Sequence, residues 1–386
     1  MLHDVVIVGA GPVGATLALA LAAGEIDVVA LDARPARTSA RGDRSLALSH
    51  GARLIYERLG IWGSIASVSG AVTPITAIDI SQRGGFGAAR LDAEEQRIPA
   101  LGYVVRYRAL QAALDAALQR AKVHVEHEFI ALRVDATPAY VCVDGRRSGA
   151  GSTWTSRLVA VADGSGDIVA GSRRRRHDYS QVALVAKVWM REPHRGVAIE
   201  RFTPDGPVAL LPEDDHYGLV WTTTPERADA LAALPEPEFL SRLRQSFGPR
   251  AGEFVHMAER RSFALSLDFA DRVVVERAVL LGNAAQALHP VAGQGFNLGV
   301  RDAWELAQEL LATPRDQIGA RERLSEYARR RRTDRWAGIA FTHGLLGAFG
   351  SNATVLRWSR GLALTLLDSF PPAKRSFTRA MLFGLH

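Results

Sequence analysis

Val5-Val6-Ile7-Val8-Gly9-Ala10-Gly11-Pro12-Val13-Gly14 decides how this chain folds. The first four residues are apolar and β-branched, as in a strand buried within a parallel sheet. The next six fit G-x-G-x-x-G. Gly9 permits a tight turn, Gly11 lets the backbone approach a pyrophosphate, and Gly14 allows close helix–strand packing. Residues 13–23 are rich in Ala and Leu, with Val13, Leu17 and Leu21 on one helical stripe, and Gly24 can end that helix. A second strand is predicted over 26–31, followed by Asp32, 18 residues beyond Gly14. Unpaired N–H groups at the helix start favour phosphate. The Asp32 carboxylate can accept from ribose hydroxyls and repels a 2′-phosphate. Strand, turn, helix, strand and acid together predict a dinucleotide site, and leave open whether NAD or FAD fills it.

Further along, the period changes. Residues 76–81 alternate like a strand, 109–121 return to helix, and 123–125, 140–143 and 158–162 read as further strands of the first unit. From 181 to 224 the pattern is mostly β, with strands over 182–189, 198–202, 208–211 and 217–223 and a turn at Asp205-Gly206. Strands this close, without helices between them, predict an antiparallel sheet. A helix is expected over 235–247, an apolar strand over 273–281, a helix over 298–311, and helical structure from 321 onward.

The stretch Gly282-Asn283-Ala284-Ala285-Gln286-Ala287-Leu288-His289-Pro290-Val291-Ala292-Gly293-Gln294-Gly295-Phe296-Asn297-Leu298-Gly299 is a second loop running into a helix. Gly293, Gln294, Gly295 and Asn297 offer backbone N–H groups at a second helix start, and two such ends suit a long cofactor. This segment resembles the second FAD-binding motif of the class A flavoprotein monooxygenases, whose fold is that of para-hydroxybenzoate hydroxylase. Within that family it is most similar to the ubiquinone-biosynthesis hydroxylases, and the wording from Asn283 to Pro290 resembles the 2-polyprenyl-6-methoxyphenol hydroxylase branch. Other segments resemble the family too: Asp43-Arg44-Ser45 a loop near the flavin, Gly102-Tyr103-Val104-Val105 with Arg106 and Arg108 a second flavin contact, and residues 202–212 the floor of a substrate pocket. The likeness spans essentially the whole chain. In the middle motif Asp163 and Gly164 match Asp-Gly-x-x-Ser-x-x-Arg, while Asp167 and Ala170 replace its Ser and Arg; the four arginines at 173–176 lie just beyond.

The resemblance implies an α/β fold: a Rossmann-type FAD domain, an antiparallel β-sheet substrate domain and a helical C-terminus. It divides the chain into a discontinuous FAD domain (1–73, 102–175 and 271–330), a substrate domain (74–101 and 176–270) and a helical segment (331–386). It implies FAD held by Gly9, Gly11, Gly14, Asp32, Arg44, Arg106, Arg108, Asp163, Asn283, Gly293, Gln294, Gly295 and Asn297. NADPH or NADH would supply electrons, and O₂, through a C4a-hydroperoxyflavin, would hydroxylate the ring of a polyprenyl phenol on the way to ubiquinone. The flavin carries that chemistry, so no strong nucleophile is demanded of the protein. His289 could assist phenol deprotonation or only hydrogen-bond backbone, and Pro290 shapes the loop beside it. Asn297 reads as a helix cap or a flavin contact. Two further readings stay open: a flavin oxidoreductase that reduces its substrate, and a flavin-binding accessory subunit with weak turnover.

Composition sets bounds around this. The chain has 386 residues, 47% hydrophobic and 23% charged, with net charge +6 and a single cysteine, Cys142. These values suit a globular protein in a reducing compartment, and with no leader sequence evident the expectation is cytoplasmic, peripheral to the inner membrane at most. The arginine runs at 173–176 and 329–332 read as solvated faces, and without interleaved aromatics they argue against nucleic acid. Residues 336–367 are rich in Leu, Ala and aromatics. They read either as packing within the fold or as a face for a membrane surface or a ubiquinone-biosynthesis complex.

Overall fold

The computed structural model describes residues 1–36, 44–248, 252–289, 293–349 and 354–385. Strand Leu2–Val8 is buried at six of its seven positions and pairs in parallel with Val28–Asp32 on one side and Ala150–Val161 on the other. Val28–Asp32 pairs onward with His124–His127, and Ala150–Val161 with Ala278–Leu280, all in parallel. The carboxyl ends of these strands share one edge of the sheet, where an open α/β sheet binds its ligand. Helix Pro12–Ala22 follows the first strand. It is buried nearly all round rather than along one stripe, packed between the sheet and helices Tyr107–Arg120 and Gln294–Leu311. The predicted strand over 273–281 is instead two short antiparallel pieces, Val274–Val275 and Ala278–Leu280, reversed at Glu276, which takes φ +44°.

A second sheet carries eight strands. Its spine is the antiparallel pair Arg174–Met190 and Phe254–Ala270, 17 residues each. The second member is not evident from sequence, because Glu259, Arg260 and Arg261 interrupt its apolar alternation. The order continues through His216–Thr223, Gly206–Glu213, Val197–Thr203, Ala77–Gln82 and Ala88–Asp92. One pair departs from the antiparallel expectation: Ala77–Gln82 runs parallel to Val197–Thr203, because its chain enters from the other unit. A small third sheet, Ser45–Ser49, Gly102–Arg106 and Val72–Ile75, sits between the two large ones.

Helices Arg321–Phe349, Thr354–Ser369 and Pro371–Phe383 close the structure. The middle one crosses the second sheet's edge where Gly87 and Gly361 touch; a Cβ on Gly87 would lie 2.3 Å from the Gly361 carbonyl oxygen. The arginine run at 329–332 is not uniformly solvated, as the sequence suggested. Arg331 is buried and bonds Asp302 (2.9 Å), Glu305 (3.2 Å) and Asp334 (2.9 Å). Gln286 joins the same network, donating to Asp302 Oδ2 (2.7 Å) and accepting from Arg335 Nε (3.0 Å). The second motif is thereby fastened to two helices.

Candidate functional site

Each glycine of the first motif has a separate physical reason. Gly9 takes φ +97° and lies against Ala162, and a Cβ on Gly14 would sit 1.9 Å from the Gly9 carbonyl oxygen. A Cβ on Gly11 would meet no protein atom within 4 Å. Nothing in the protein excludes a side chain at Gly11, so the open space beside it is a cradle that a pyrophosphate fits and a larger residue would fill. Asp32 is buried beneath this loop, and its Oδ2 accepts from Ala10 N–H (3.0 Å). Arg34 also grips it, through Nε (3.0 Å) and Nη2 (2.7 Å), and Nη2 donates to the Ala10 carbonyl (3.0 Å). Burial would raise the Asp32 pKa, but the Arg34 side chain and the backbone donors outweigh it and hold the carboxyl below its ordinary value. Gln111 donates to the Ala10 carbonyl from the neighbouring helix (3.2 Å). Sequence reasoning missed both Arg34 and Gln111. The first lies in Asp32-Ala33-Arg34, a spacing that could have flagged it; the second depends on helix packing and leaves no local signal.

The other expected contacts are distributed around the same edge. Asp163 caps its own turn, accepting from Ser165 N–H (3.0 Å) and Gly166 N–H (2.8 Å). Asn283 is exposed on the second loop, and its carbonyl and that of Ala284 accept from Arg174, at 3.4 Å and 2.8 Å. Arg174 also donates to the Ser165 carbonyl, and so clamps the middle motif to the second one. Arg44 stacks on the Tyr107 ring, 4.1 Å from its centroid. Arg106 pairs with Asp214 of the second sheet (2.9 Å), and Arg108 is exposed. Asp43 and Pro290 lie outside the described residues.

At the second motif the helix begins at Gln294, with Gly293 as its N-cap at φ +60°. Asn297 is not the cap. Its Oδ1 accepts from Ser49 N–H (2.8 Å), and its Nδ2 donates to the carbonyls of Ala47 (3.0 Å) and Gly293 (2.8 Å). It ties the helix start to strand Ser45–Ser49. His289 is buried behind this loop, and burial depresses its pKa to about 4, so the ring is neutral at physiological pH. The Tyr179 ring meets it edge-on, 5.5 Å between centroids.

A cavity of about 420 Å³ opens against this helix start. Ala47, Ser49, Gly293, Gln294 and Asn297 form one end. Its floor is the second sheet, including Phe202, Pro207, Ala209 and Leu211, as the family likeness of 202–212 implies. Its roof is the C-terminal helices, through Leu364, Leu367 and Met381. The wall is overwhelmingly apolar and of a size that encloses a small organic molecule. His289 does not line it, whereas Glu200 does.

The FAD binding domain family matches residues 3–342. The ubiquinone hydroxylase UbiL of Rhodospirillum rubrum is 34% identical to this chain, over 97% of it and 88% of the relative. The 3-demethoxyubiquinol 3-hydroxylase of Escherichia coli is 28% identical, over 96% of each. Among solved structures, p-nitrophenol 4-monooxygenase PnpA from Pseudomonas putida shares the fold with a TM-score of 0.78, covering 100% of this chain and 99% of that one at 18% identity. The Diels-Alderase PyrE3 shares it too, at a TM-score of 0.71 and 21% identity over 100% and 81%. The fold alone therefore does not fix the reaction, and the sequence relationship carries more. This chain belongs to the FAD-binding flavoprotein monooxygenase family, in the group that contains the ubiquinone hydroxylases.

Proposed function

We propose that this protein hydroxylates the aromatic ring of a prenylated phenol in ubiquinone biosynthesis, using FAD, NADPH or NADH, and O₂. The observation that carries this reading is the apolar cavity abutting the second cofactor motif, in a chain whose relatives are named as ubiquinone hydroxylases. Bound FAD supplies the redox chemistry: it takes electrons from the nicotinamide cofactor and activates O₂. The residues proposed to hold it are the glycines of the first motif with Asp32, Arg44, Arg106, Arg108 and Asp163, and those of the second motif from Asn283 to Asn297. The chain itself supplies shape and dryness. The Asn297 clamp fixes the cavity end nearest the second motif. Leu364, Leu367 and Met381 cover the opposite side and exclude water from a hydrocarbon tail. The narrower assignment to the 2-polyprenyl-6-methoxyphenol branch rests on the wording of 283–290 alone.

The purified yellow protein should oxidise NAD(P)H and convert a short-chain prenylphenol to a product heavier by one oxygen atom. NAD(P)H oxidation with a reduced rather than oxygenated product would favour the oxidoreductase reading. No reduction by either nicotinamide cofactor would favour the accessory subunit.

The same reading extends to a lipid surface. Among the described residues no helix is long and apolar enough to cross a membrane. Helix Thr354–Ser369 instead exposes Trp358 (61%), Leu362 (54%) and Leu366 (57%), spaced four apart on its outer face. Ala363, Leu364 and Leu367, on its other face, line the cavity. A helix with one apolar face outward and the other on the pocket suits a substrate whose tail resides in a bilayer. The double variant Trp358→Glu, Leu362→Glu should lose co-flotation with anionic vesicles; flotation equal to that of the unmodified protein would rule the contact out.

A further inference from the structure

Glu200 sits where an apolar residue would be expected. On strand Val197–Thr203 the alternate positions Ala198, Glu200 and Phe202 face the cavity. The register sets Glu200 beside Ile80 on one side and Ala209 on the other, and Ala209 beside Val220. This cross-strand row is the cavity floor, and Glu200 is its one polar member. Among the described residues its carboxyl has no hydrogen-bond or ion-pair partner, and burial alone governs its pKa, raising it to about 7. The neighbouring Arg201 is engaged elsewhere, donating to the Ser246 carbonyl (3.1 Å) and Ser81 Oγ (3.1 Å). The only other charged residue on the described wall is Arg360, from helix Thr354–Ser369; the helices Gln294–Leu311 and Pro371–Phe383 contribute no titratable group to it.

An unpartnered carboxyl in an apolar wall is costly, and nothing within the fold recovers that cost. A ligand that donates a hydrogen bond at this point recovers it. The rest of the wall has few polar groups with which to orient an aromatic ring, so one acceptor in the floor fixes the ring's rotation. We propose that Glu200 is the acceptor that receives the substrate's ring hydroxyl and thereby sets which ring carbon faces the second cofactor motif. This rests on the reading of the substrate as a prenylated phenol. It assigns Glu200 a specificity-determining role, and a carboxylate held against a phenolic O–H also enriches the ring in electron density, as oxygen insertion requires.

The test uses the FAD-loaded protein and two probes, 2-prenylphenol and its methyl ether, which keeps the shape but has no O–H. Binding is read from the change in the visible absorbance of bound FAD. At pH 8 the phenol should bind about tenfold tighter than the ether, the usual worth of a hydrogen bond to a charged acceptor. The preference should shrink toward pH 6, as the carboxyl protonates and Arg360 stays cationic. In Glu200→Leu the two probes should bind alike. In Glu200→Gln, whose amide oxygen still accepts, a smaller preference should survive without its pH dependence. Retained FAD absorbance in both variants reports an intact fold. Equal binding of the two probes by the unmodified protein, or an unchanged preference in Glu200→Leu, would overturn the role of Glu200 while leaving the substrate class standing. Failure of both probes to bind the unmodified protein would overturn the substrate class, and the role with it.

Discussion

Replacing Glu200 with Gln should stabilise the protein, and more so at high pH. The carboxyl has a pKa near 4.5 in the unfolded chain and about 7 in the fold, because burial penalises its charge. A folded pKa above the unfolded one means that the native state holds the proton more tightly. Its contribution is therefore fully present below 4.5 and is lost as the pH rises through 7. At about 1.36 kcal/mol per tenfold, the raised pKa of Glu200 costs the fold about 2 kcal/mol at pH 6, where the native carboxyl is still protonated, and about 3 kcal/mol at pH 8.5, where it is charged. Gln has nearly the same shape and does not titrate. The variant's advantage over the unmodified protein should thus widen by about 1 kcal/mol between those two pH values. Urea unfolding of the FAD-saturated proteins, followed by far-UV circular dichroism, measures it, provided the slope with denaturant is the same for both. A stability difference that does not change with pH would refute the reasoning, since it would mean that Glu200 is not charging against an apolar wall. A stabilising mutation that weakens ligand selection is the exchange expected of a functional residue.

Other expectations follow from the same geometry. Gly11→Ala should fold normally but bind FAD at least about tenfold more weakly, whereas Gly14→Ala, whose Cβ clashes with the Gly9 carbonyl, should lose about 2 kcal/mol or more of stability; equilibrium dialysis and thermal melts separate the two. Asn297→Ala strands Ser49 N–H and two carbonyls, so about 2–4 kcal/mol of stability and most FAD affinity should go, as flavin release on gel filtration would report. Arg331→Met leaves buried Asp302 without a cationic partner, holding only the Gln286 amide, while Asp334 keeps Arg301, and should cost about 3 kcal/mol by urea titration, with no change in the pH profile of turnover. His289 behaves oppositely to Glu200: its folded pKa of about 4 lies below the unfolded 6.5, so its stabilisation is full above 6.5 and lost as pH falls toward 4. His289→Gln should flatten that acid limb of the stability curve.

Residues that act through their immediate neighbours were legible in the sequence. Gly9, Gly14 and the strand and helix around them obey short-range sterics, so their spacing alone announced the dinucleotide loop. The second motif was legible because a glycine-bearing loop running into a helix is also a local event. What the sequence could not display are the long-range pairings. Asn297 reads as a helix cap until strand Ser45–Ser49 is brought to it from some 250 positions away. Arg331 reads as one of four surface charges until Asp302 and Asp334 close around it. Glu200 looks like an ordinary strand glutamate until the register sets it between Ile80 and Ala209. The strand Phe254–Ala270 is hidden for the opposite reason: its exposed charged positions mask a pattern that only its partner, Arg174–Met190, makes coherent.

The two helices that roof the cavity, Thr354–Ser369 and Pro371–Phe383, are made after every other part of its wall. A ribosome therefore delivers the cofactor sheet and both glycine-bearing loops before the pocket can shut. During that interval the apolar floor stands open to water, since nothing made earlier covers it. The substrate chamber is thus the last part of the molecule that can be completed. A chain interrupted after the helix Gln294–Leu311 would lack not only this lid but also Arg331 and Arg335, which fasten the second motif, so the C-terminal helical structure serves the cofactor end and the chamber alike.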